Sequence, residues 1–361
     1  MPMKVGIVGM PNAGKSSLFQ ALTGVAAEAA NYPFTTIEPN IAVVPVRDER
    51  MEQVAETVTA SKLVWDTIAF HDIAGLVAGA HKGEGLGNQF LANIRETDAL
   101  VHVVRTHTDA SIVHPEGSVD ALRDISTIET ELIFADLEQA ERRLDRVTKT
   151  ARSGDKHAIA EAAWLAEVIT ALQEGRTVRT VPTPEEAPDA VQLLGSLTSK
   201  PVLLVANVDE GEIAVPAEIA AYAAQQQARA VAVSARLEAE LGALEADEAA
   251  ELRSDLGLAE SGLQTVVREA FQLLDLITFF TAGEAKPAQT WHLRRGLSAW
   301  HAAGQIHSDI QHGFVRAEVV PWDALVKFGG YAGARENAAL RLEGRDYVMN
   351  DGDVITIKFT R

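Results

Sequence analysis

Lys4-Val-Gly-Ile-Val-Gly9-Met-Pro-Asn-Ala-Gly14-Lys15-Ser16-Ser17-Leu18 decides the fold. A short apolar run ends in glycine, and Gly9–Ser16 then matches G-x-x-x-x-G-K-S in full. The two glycines let the backbone wrap around phosphate oxygens. Successive amide N–H groups turn inward, with the positive end of the following helix behind them. Asn12, Ala13, Gly14, Lys15, Ser16 and Ser17 are therefore candidate nucleotide-binding residues. Lys15 is expected to reach the β and γ phosphates and Ser16 to ligate Mg²⁺. A strand over Lys4–Gly9 and a helix over Asn12–Leu22 supply the context that such a loop needs.

Outward from this loop, Val64–His71, Ala99–Val104, Val202–Ala206 and Ala230–Val233 are apolar runs of strand length separated by helical stretches. That alternation predicts an α/β domain with a mostly parallel sheet covered on both faces. Asp72-Ile-Ala-Gly75 follows the Val64–His71 run. An aspartate at a strand end, with glycine three residues on, suits a carboxylate that holds Mg²⁺ through water and an N–H that senses the γ phosphate. Between the two motifs lies Asn31-Tyr-Pro-Phe-Thr-Thr36-Ile, and Thr36 is the hydroxyl expected to close on the metal. The candidate metal residues are thus Ser16, Thr36 and Asp72. Leu76 stands where many regulatory GTPases carry a glutamine that orients the attacking water. Leucine cannot do this, so help must come from backbone, a cation or a partner. Lys15, Gly75 and Leu76 form the candidate catalytic set. His81 is either a water-positioning residue or an ordinary loop histidine.

The Val202–Ala206 run ends in Asn207-Val208-Asp209-Glu210. Guanine-specific enzymes carry Asn-Lys-x-Asp at such a strand end, the lysine covering the base and the aspartate accepting from guanine N1–H and N2–H₂. Here Val208 takes the lysine position and Glu210 the aspartate position. Glu210 is one methylene longer, so relaxed or adenine-preferring recognition is expected. Ser234-Ala235-Arg236 follows the next strand and matches a final base-contacting loop, adding Ser234 and Ala235 to the nucleotide-binding candidates.

The chain has 361 residues, no cysteine and a formal net charge of −19. Disulfides and thiolate chemistry are excluded. No apolar run approaches the ~20 residues of a membrane span. Strong acidity argues against general polyanion binding, DNA included, so any RNA contact must rest on a local basic patch. Such a patch exists: Arg142, Arg143, Arg146, Lys149, Arg152 and Lys156 accompany only Asp145 and Asp155. Residues 126–173 have helical period and break at Ser153-Gly154-Asp155, reading as an antiparallel hairpin inserted over 126–188, with two ordinary surface helices as the alternative. On a hairpin the patch falls at the far end. Ser261–Ile277 reads as an amphipathic helix closing a first domain of residues 1–277. Residues 278–361 differ in character, with 10 Lys/Arg against 9 Asp/Glu and alternating short strands, and Asp351-Gly352 marks a turn.

Taken together, Gly9–Ser16, Asn31–Asn40, Asp72–Leu76, Lys82-Gly-Glu-Gly-Leu-Gly-Asn-Gln89, Asn207–Glu210 and Gly313…Val354 resemble the YchF/Obg-like ATPases, a branch of the translation-factor P-loop enzymes. The resemblance spans nearly the whole chain. It implies an inserted helical hairpin, a C-terminal TGS domain of β-grasp type over 278–361, preference for ATP over GTP, ribosome association in the cytoplasm, and a hydrophobic residue replacing the catalytic glutamine. It also implies K⁺ as an activating ion at Asn12. Ala13, Ala78 and His81 depart from residues common in the family. Three functions remain open at this point: a switch ATPase or GTPase acting on translation, a P-loop small-molecule kinase, and a non-hydrolysing RNA scaffold. The kinase lacks an evident acceptor pocket and arginine lid, and intact Lys15, Ser16 and Asp72 count against the scaffold.

Overall fold

A computed structural model describes residues 3–28, 40–73, 86–109, 112–258 and 261–360. Among the described residues, two six-stranded sheets organise the fold. In the first, β1 (Met3–Val8) is central. It pairs in parallel with β4 (Thr67–Asp72) on one side and β5 (Ala99–Arg105) on the other. β6 (Val202–Asn207) and β7 (Arg229–Val233) continue the parallel run, and β2 (Ile41–Pro45) closes the opposite edge antiparallel to β4. Successive side chains alternate between faces. Val5 and Ile7 join Leu18 and Leu22 of α1 (Lys15–Glu28) and Val266 of α10 (Gly262–Leu273) in one core. Val8 points to the other face, where Ile94 of α3 (Leu86–Arg95) and Ile128 of α4 (Ala121–Ala151) cover it. Both faces are therefore dry, which is what continuous apolar strands require.

The expected helix over Asn12–Leu22 begins only at Lys15. Asn12 and Gly14 hold positive φ of 62° and 101°, outside helical space, and so remain in the loop. The expected strand Val64–His71 is also corrected. It divides into β3 (Lys62–Val64) and β4, and β3 joins the second sheet. The break falls at Trp65-Asp66, where Trp65 is buried among residues of the second sheet and Asp66 is held by it.

The second sheet has the order β11-β10-β12-β8-β9-β3, with β8 (Leu276–Thr281), β9 (Pro287–Arg294), β10 (Phe314–Pro321), β11 (Arg341–Glu343) and β12 (Asp353–Phe359). α11 (Ala299–Ile306) packs on one face with Ile277, Phe279 and Ile355. The other face is covered by α2 (Glu49–Thr57), α13 (Trp322–Lys327) and α14 (Tyr331–Glu336), through Met51, Val54, Leu325 and Ala334 against Phe280 and Val354. A short α12 (Ser308–His312) precedes β10. At Gly352, φ is 87° and a Cβ would collide with Trp322, so the Asp351-Gly352 turn needs its glycine.

α4 and α5 (Lys156–Gln173) form the hairpin, α4 starting earlier than the pattern of apolar residues suggested because Asp120 caps it. Ile133, Ala140 and Val147 meet Ala158, Leu165, Val168 and Leu172 along the shared seam. Asp155 caps α5, and Gly154 turns the chain with φ 86°. The root is fastened by buried polar groups. The Asp136 carboxylate accepts from the Leu197 and Thr198 N–H groups at 2.8 Å, and Glu129 pairs with Arg179 at 2.6 Å. Of the remaining helices, α6 (Ala190–Leu194) packs on the hairpin through Ala190 and Leu194, α7 (Ala217–Gln225) on β6 and β7, and α8 (Ala235–Leu241) on α1 and, through Leu237 and Leu241, on Ala249 of α9 (Ala246–Asp255).

Candidate nucleotide site

The loop after β1 sits at the carboxyl ends of the parallel strands, the place where open α/β sheets bind ligands. Gly9 has φ 152° and backs onto the Val103 carbonyl of β5, so a side chain there would collide with backbone. Lys15 opens α1 yet is only 8 % exposed, and its ammonium donates to the Met10 carbonyl at 2.8 Å. Burial lowers its pKa, and the Asp72 charge works against that shift. Asp72 ends β4 beside Ile7, and burial raises its pKa while Lys15 opposes the rise. The sheet thus brings Lys15 and Asp72 together as an interacting pair of opposite charge. Ser16 is exposed and Ser17 half-buried, both on the wall of a cleft of about 900 Å³.

Asn207 ties two loops of the cleft together. Its Nδ2 donates to the Ala13 carbonyl at 3.0 Å, and its Oδ1 accepts the Ala235 N–H at 3.0 Å. A Cβ on Gly14 would collide with that same amide. Ser234 caps α8 through the Leu237 N–H, and Ala235 is buried behind it. Val208 lines the cleft but does not reach over it as a base-covering residue would. It is 2 % exposed, and its side chain packs with Val104, Ile219 and Ala223. Its place in a β-strand extension, with its N–H bonded to the Val233 carbonyl, turns the side chain inward. Glu210 lines the cleft and pairs with Arg236 at 3.4 Å. Asn12 lines it as well, and its side-chain nitrogen donates to the Val113 carbonyl at 3.0 Å. Thr36, Gly75, Leu76 and His81 lie outside the described residues.

One wall escaped the sequence reading. His107, Asp109 and Ile112 of the loop after β5 line the cleft. Arg105, 2 % exposed, holds that loop by donating to the carbonyls of His107, Asp109 and Ile112. The buried pair His114–Asp124, 2.8 Å apart, fastens the loop to the start of α4. The available signal was an arginine at the end of an otherwise apolar strand, since a buried guanidinium needs several acceptors close by.

Comparison with known proteins agrees with this geometry. Residues 4–137 match the family described as 50S ribosome-binding GTPase, and residues 276–360 match the YchF-type GTPase C-terminal family, described as a protein of unknown function. The chain is 46 % identical to the ribosome-binding ATPase YchF of Bacillus subtilis, over 99 % of this chain and 100 % of that protein. The chain belongs to the YchF family. The protein of the same name from Escherichia coli O157:H7 is 44 % identical over 99 % of both chains. The solved YchF GTPase of Schizosaccharomyces pombe superposes with a TM-score of 0.87 at 34 % identity, covering 99 % of this chain and 97 % of that one. Membership accounts for both halves at once: the phosphate loop on the first sheet and the strands and helices of the second.

Proposed function

We propose that this protein is a ribosome-binding ATP hydrolase of the switch type, working with Mg²⁺. The observation that carries the reading is the Lys15–Asp72 pair at the mouth of a glycine-wrapped loop. A buried ammonium and a half-buried carboxylate, beside an exposed Ser16 hydroxyl, are suited to a phosphate chain and a hard divalent cation. The donor set fits Mg²⁺, which takes one or two protein oxygens and completes its shell with phosphates and water. Ser16 and Asp72 would hold it, joined by Thr36 when triphosphate is present. Bound there, Mg²⁺ neutralises charge that develops on the phosphate oxygens. Lys15 exchanges its bond to the Met10 carbonyl for phosphate oxygens, and the Gly75 N–H reports the γ phosphate. Leu76 has no polar atom with which to orient water, so intrinsic turnover is slow, at or below ~10⁻² s⁻¹.

Adenine is favoured over guanine because Val208 is turned into the core and the Glu210 carboxylate is partnered by Arg236. The names of the relatives, ribosome-binding ATPase, support the same choice. A hydrolysis assay with ATP and GTP, with and without ribosomes, tests the reading. ATP is expected to turn over at least as well as GTP, and a large GTP preference would refute it. K⁺ acts as the activating ion at Asn12, whose nitrogen is occupied by Val113 and whose oxygen is left as the acceptor. Equal rates in KCl and NaCl at one ionic strength would remove K⁺ from the mechanism.

Ribosome contact runs through ribosomal RNA at the hairpin tip, with no role for DNA. α4 is 31 residues long, about 46 Å, and carries Arg142, Arg146 and Lys149 on one exposed face near its end. The setting is the cytoplasm. Among the described residues no helix is long and apolar enough to cross a membrane.

A further inference from the structure

Between β2 and β4 the chain leaves the first sheet, and both ends of this excursion are fastened to the second. At the outgoing end Asp48 caps α2, and Arg50 bridges Asp48 at 2.7 Å and Asp351 at 2.5 Å while lying over the Phe280 ring. Asp351 in turn accepts the Thr278 N–H at 2.8 Å. At the returning end stands Asp66. Its N–H donates to the Thr290 hydroxyl at 2.6 Å, and one carboxylate oxygen accepts the His292 N–H at 2.9 Å. The His292 ring nitrogen Nδ1 lies 3.2 Å from that same oxygen. The other oxygen accepts the Thr67 N–H at 2.8 Å, and the Asp66 carbonyl accepts from Val46 at 2.9 Å. Thr290 is fully buried and His292 nearly so, both on β9.

The next residue begins β4, and β4 ends at Asp72. Six residues of strand span about 20 Å. β4 is bonded on both sides, to β1 and to β2, and Ile68 and Phe70 are fully buried. A strand held this way moves as a unit, because slipping it by one residue would turn its core side chains to the wrong face. Its two ends, Asp66 and Asp72, are therefore mechanically linked.

We propose that Asp66, clasped by Thr290 and His292, is a positioning residue for nucleotide hydrolysis, through which the second sheet sets the place of Asp72. The inference rests on the reading of Asp72 as the metal-side carboxylate. It assigns a purpose to an arrangement that stability alone does not require: the strand before the metal carboxylate is anchored in the second sheet instead of turning back within its own. Any partner that shifts β9 then alters the metal site without touching nucleotide.

Thr290→Val removes the acceptor for the Asp66 N–H at almost unchanged volume, Asp66→Asn weakens the carboxylate contacts, and Thr290→Ser keeps the hydroxyl. Turnover of ATP is measured against Mg²⁺ concentration, with melting temperature recorded for each variant. Thr290→Val and Asp66→Asn are expected to lower kcat by about tenfold, the scale of a sub-ångström displacement of a reacting group. The Mg²⁺ midpoint is expected to rise severalfold, while KM for ATP at saturating Mg²⁺ stays within about twofold, since neither residue lines the nucleotide cleft. Thr290→Ser is expected to behave as the parent protein. Folded Thr290→Val and Asp66→Asn proteins with parental kcat and Mg²⁺ midpoint would overturn the proposal, as would a loss in Thr290→Ser equal to that in Thr290→Val. If Thr290→Val does not fold, hydrogen exchange on the parent protein decides: a non-hydrolysable ATP analogue with Mg²⁺ must change protection of the β9 amides, and unchanged protection there, with the phosphate loop protected, overturns it. Asp72→Asn is the control. If it leaves the Mg²⁺ midpoint unmoved, the metal reading fails and this inference with it; if it moves the midpoint while the Asp66 and Thr290 variants do not, only this inference fails.

Discussion

Two groups of cations in this molecule meet anions in opposite ways. Lys15 is 8 % exposed, holds one backbone carbonyl, and has its pKa lowered by burial. At the far end of α4 the cations other than Arg143 are solvated. Arg142 is engaged by Glu138 at 2.9 Å and Arg143 by Glu161, but no ion pair holds Arg146, Lys149, Arg152 or Lys156 among the described residues. A buried cation is expensive to keep charged, so a phosphate arriving beside it recovers much of that cost. A solvated cation gives little singly, and its attraction is screened by salt. The first arrangement suits discrimination and chemistry at one point. The second suits a broad, salt-dependent grip on a polyanion.

The sharpest test of this contrast is Lys15→Ala. Removing a preorganised donor aimed at developing charge costs on the order of 10²–10³ in rate. ATP hydrolysis should fall by at least that much, while circular dichroism and melting stay close to the parent. A folded variant turning over at the parental rate would erase the distinction between the two cation groups.

Asn207→Ala comes next. It leaves the buried Ala13 carbonyl and Ala235 N–H without their partner, and each such loss costs about 1–3 kcal/mol. ATP affinity is expected to weaken by roughly 10- to 100-fold by the same arithmetic, because phosphate loop and base loop lose their common tie. Calorimetric titration measures it. Unchanged affinity would mean that the two loops hold their places independently.

These two positions also show what was legible in the sequence. Gly9–Ser16 and Asn207 belong to motifs of fixed spacing at strand ends, so their spacing carries their meaning even though Asn207 bonds to Ala13 and Ala235 far along the chain. The Asp66 clasp does not. Thr290 and His292 lie more than 220 residues away in sequence, and nothing in Val64–His71 distinguishes one strand from two strands in different sheets. The inward turn of Val208 was likewise hidden, since valine suits a wall or a core equally well. Arg105 was readable in principle: a charged residue ending an apolar strand must find acceptors, and it found three carbonyls of the cleft wall.

At the hairpin tip the expected effects are smaller and spread out. Replacing Arg146, Lys149, Arg152 and Lys156 with glutamine should weaken ribosome co-sedimentation by roughly tenfold near physiological salt and flatten its salt dependence, each lost phosphate contact reducing the slope by about one. Replacing Arg142 and Arg143 instead should do less to the slope, because Glu138 and Glu161 already neutralise them. Equal slopes for the two variants would break the contrast between paired and solvated cations, and parental pelleting by the fourfold variant would move the ribosome contact to the second sheet. ATP hydrolysis without ribosomes should not change in either.

The smallest effect is expected at the base. Restoring the guanine-type pattern takes Val208→Lys with Glu210→Asp. The lysine must leave a site that is 2 % exposed and run its stem along apolar surface to bring its ammonium to the cleft. The vacated space among Val104, Ile219 and Ala223 then costs stability, so the melting temperature should fall. The aspartate loses reach toward Arg236, now 3.4 Å from Glu210, and becomes free to accept from guanine. The two changes supply the guanine acceptor but leave the wall formed by His107 and Ile112 as it is. The ratio of ATP to GTP dissociation constants should therefore shift toward GTP by only a few-fold, about 1 kcal/mol. A complete reversal of preference would locate base choice in these two side chains alone. No shift at all would place it in the loop that Arg105 holds.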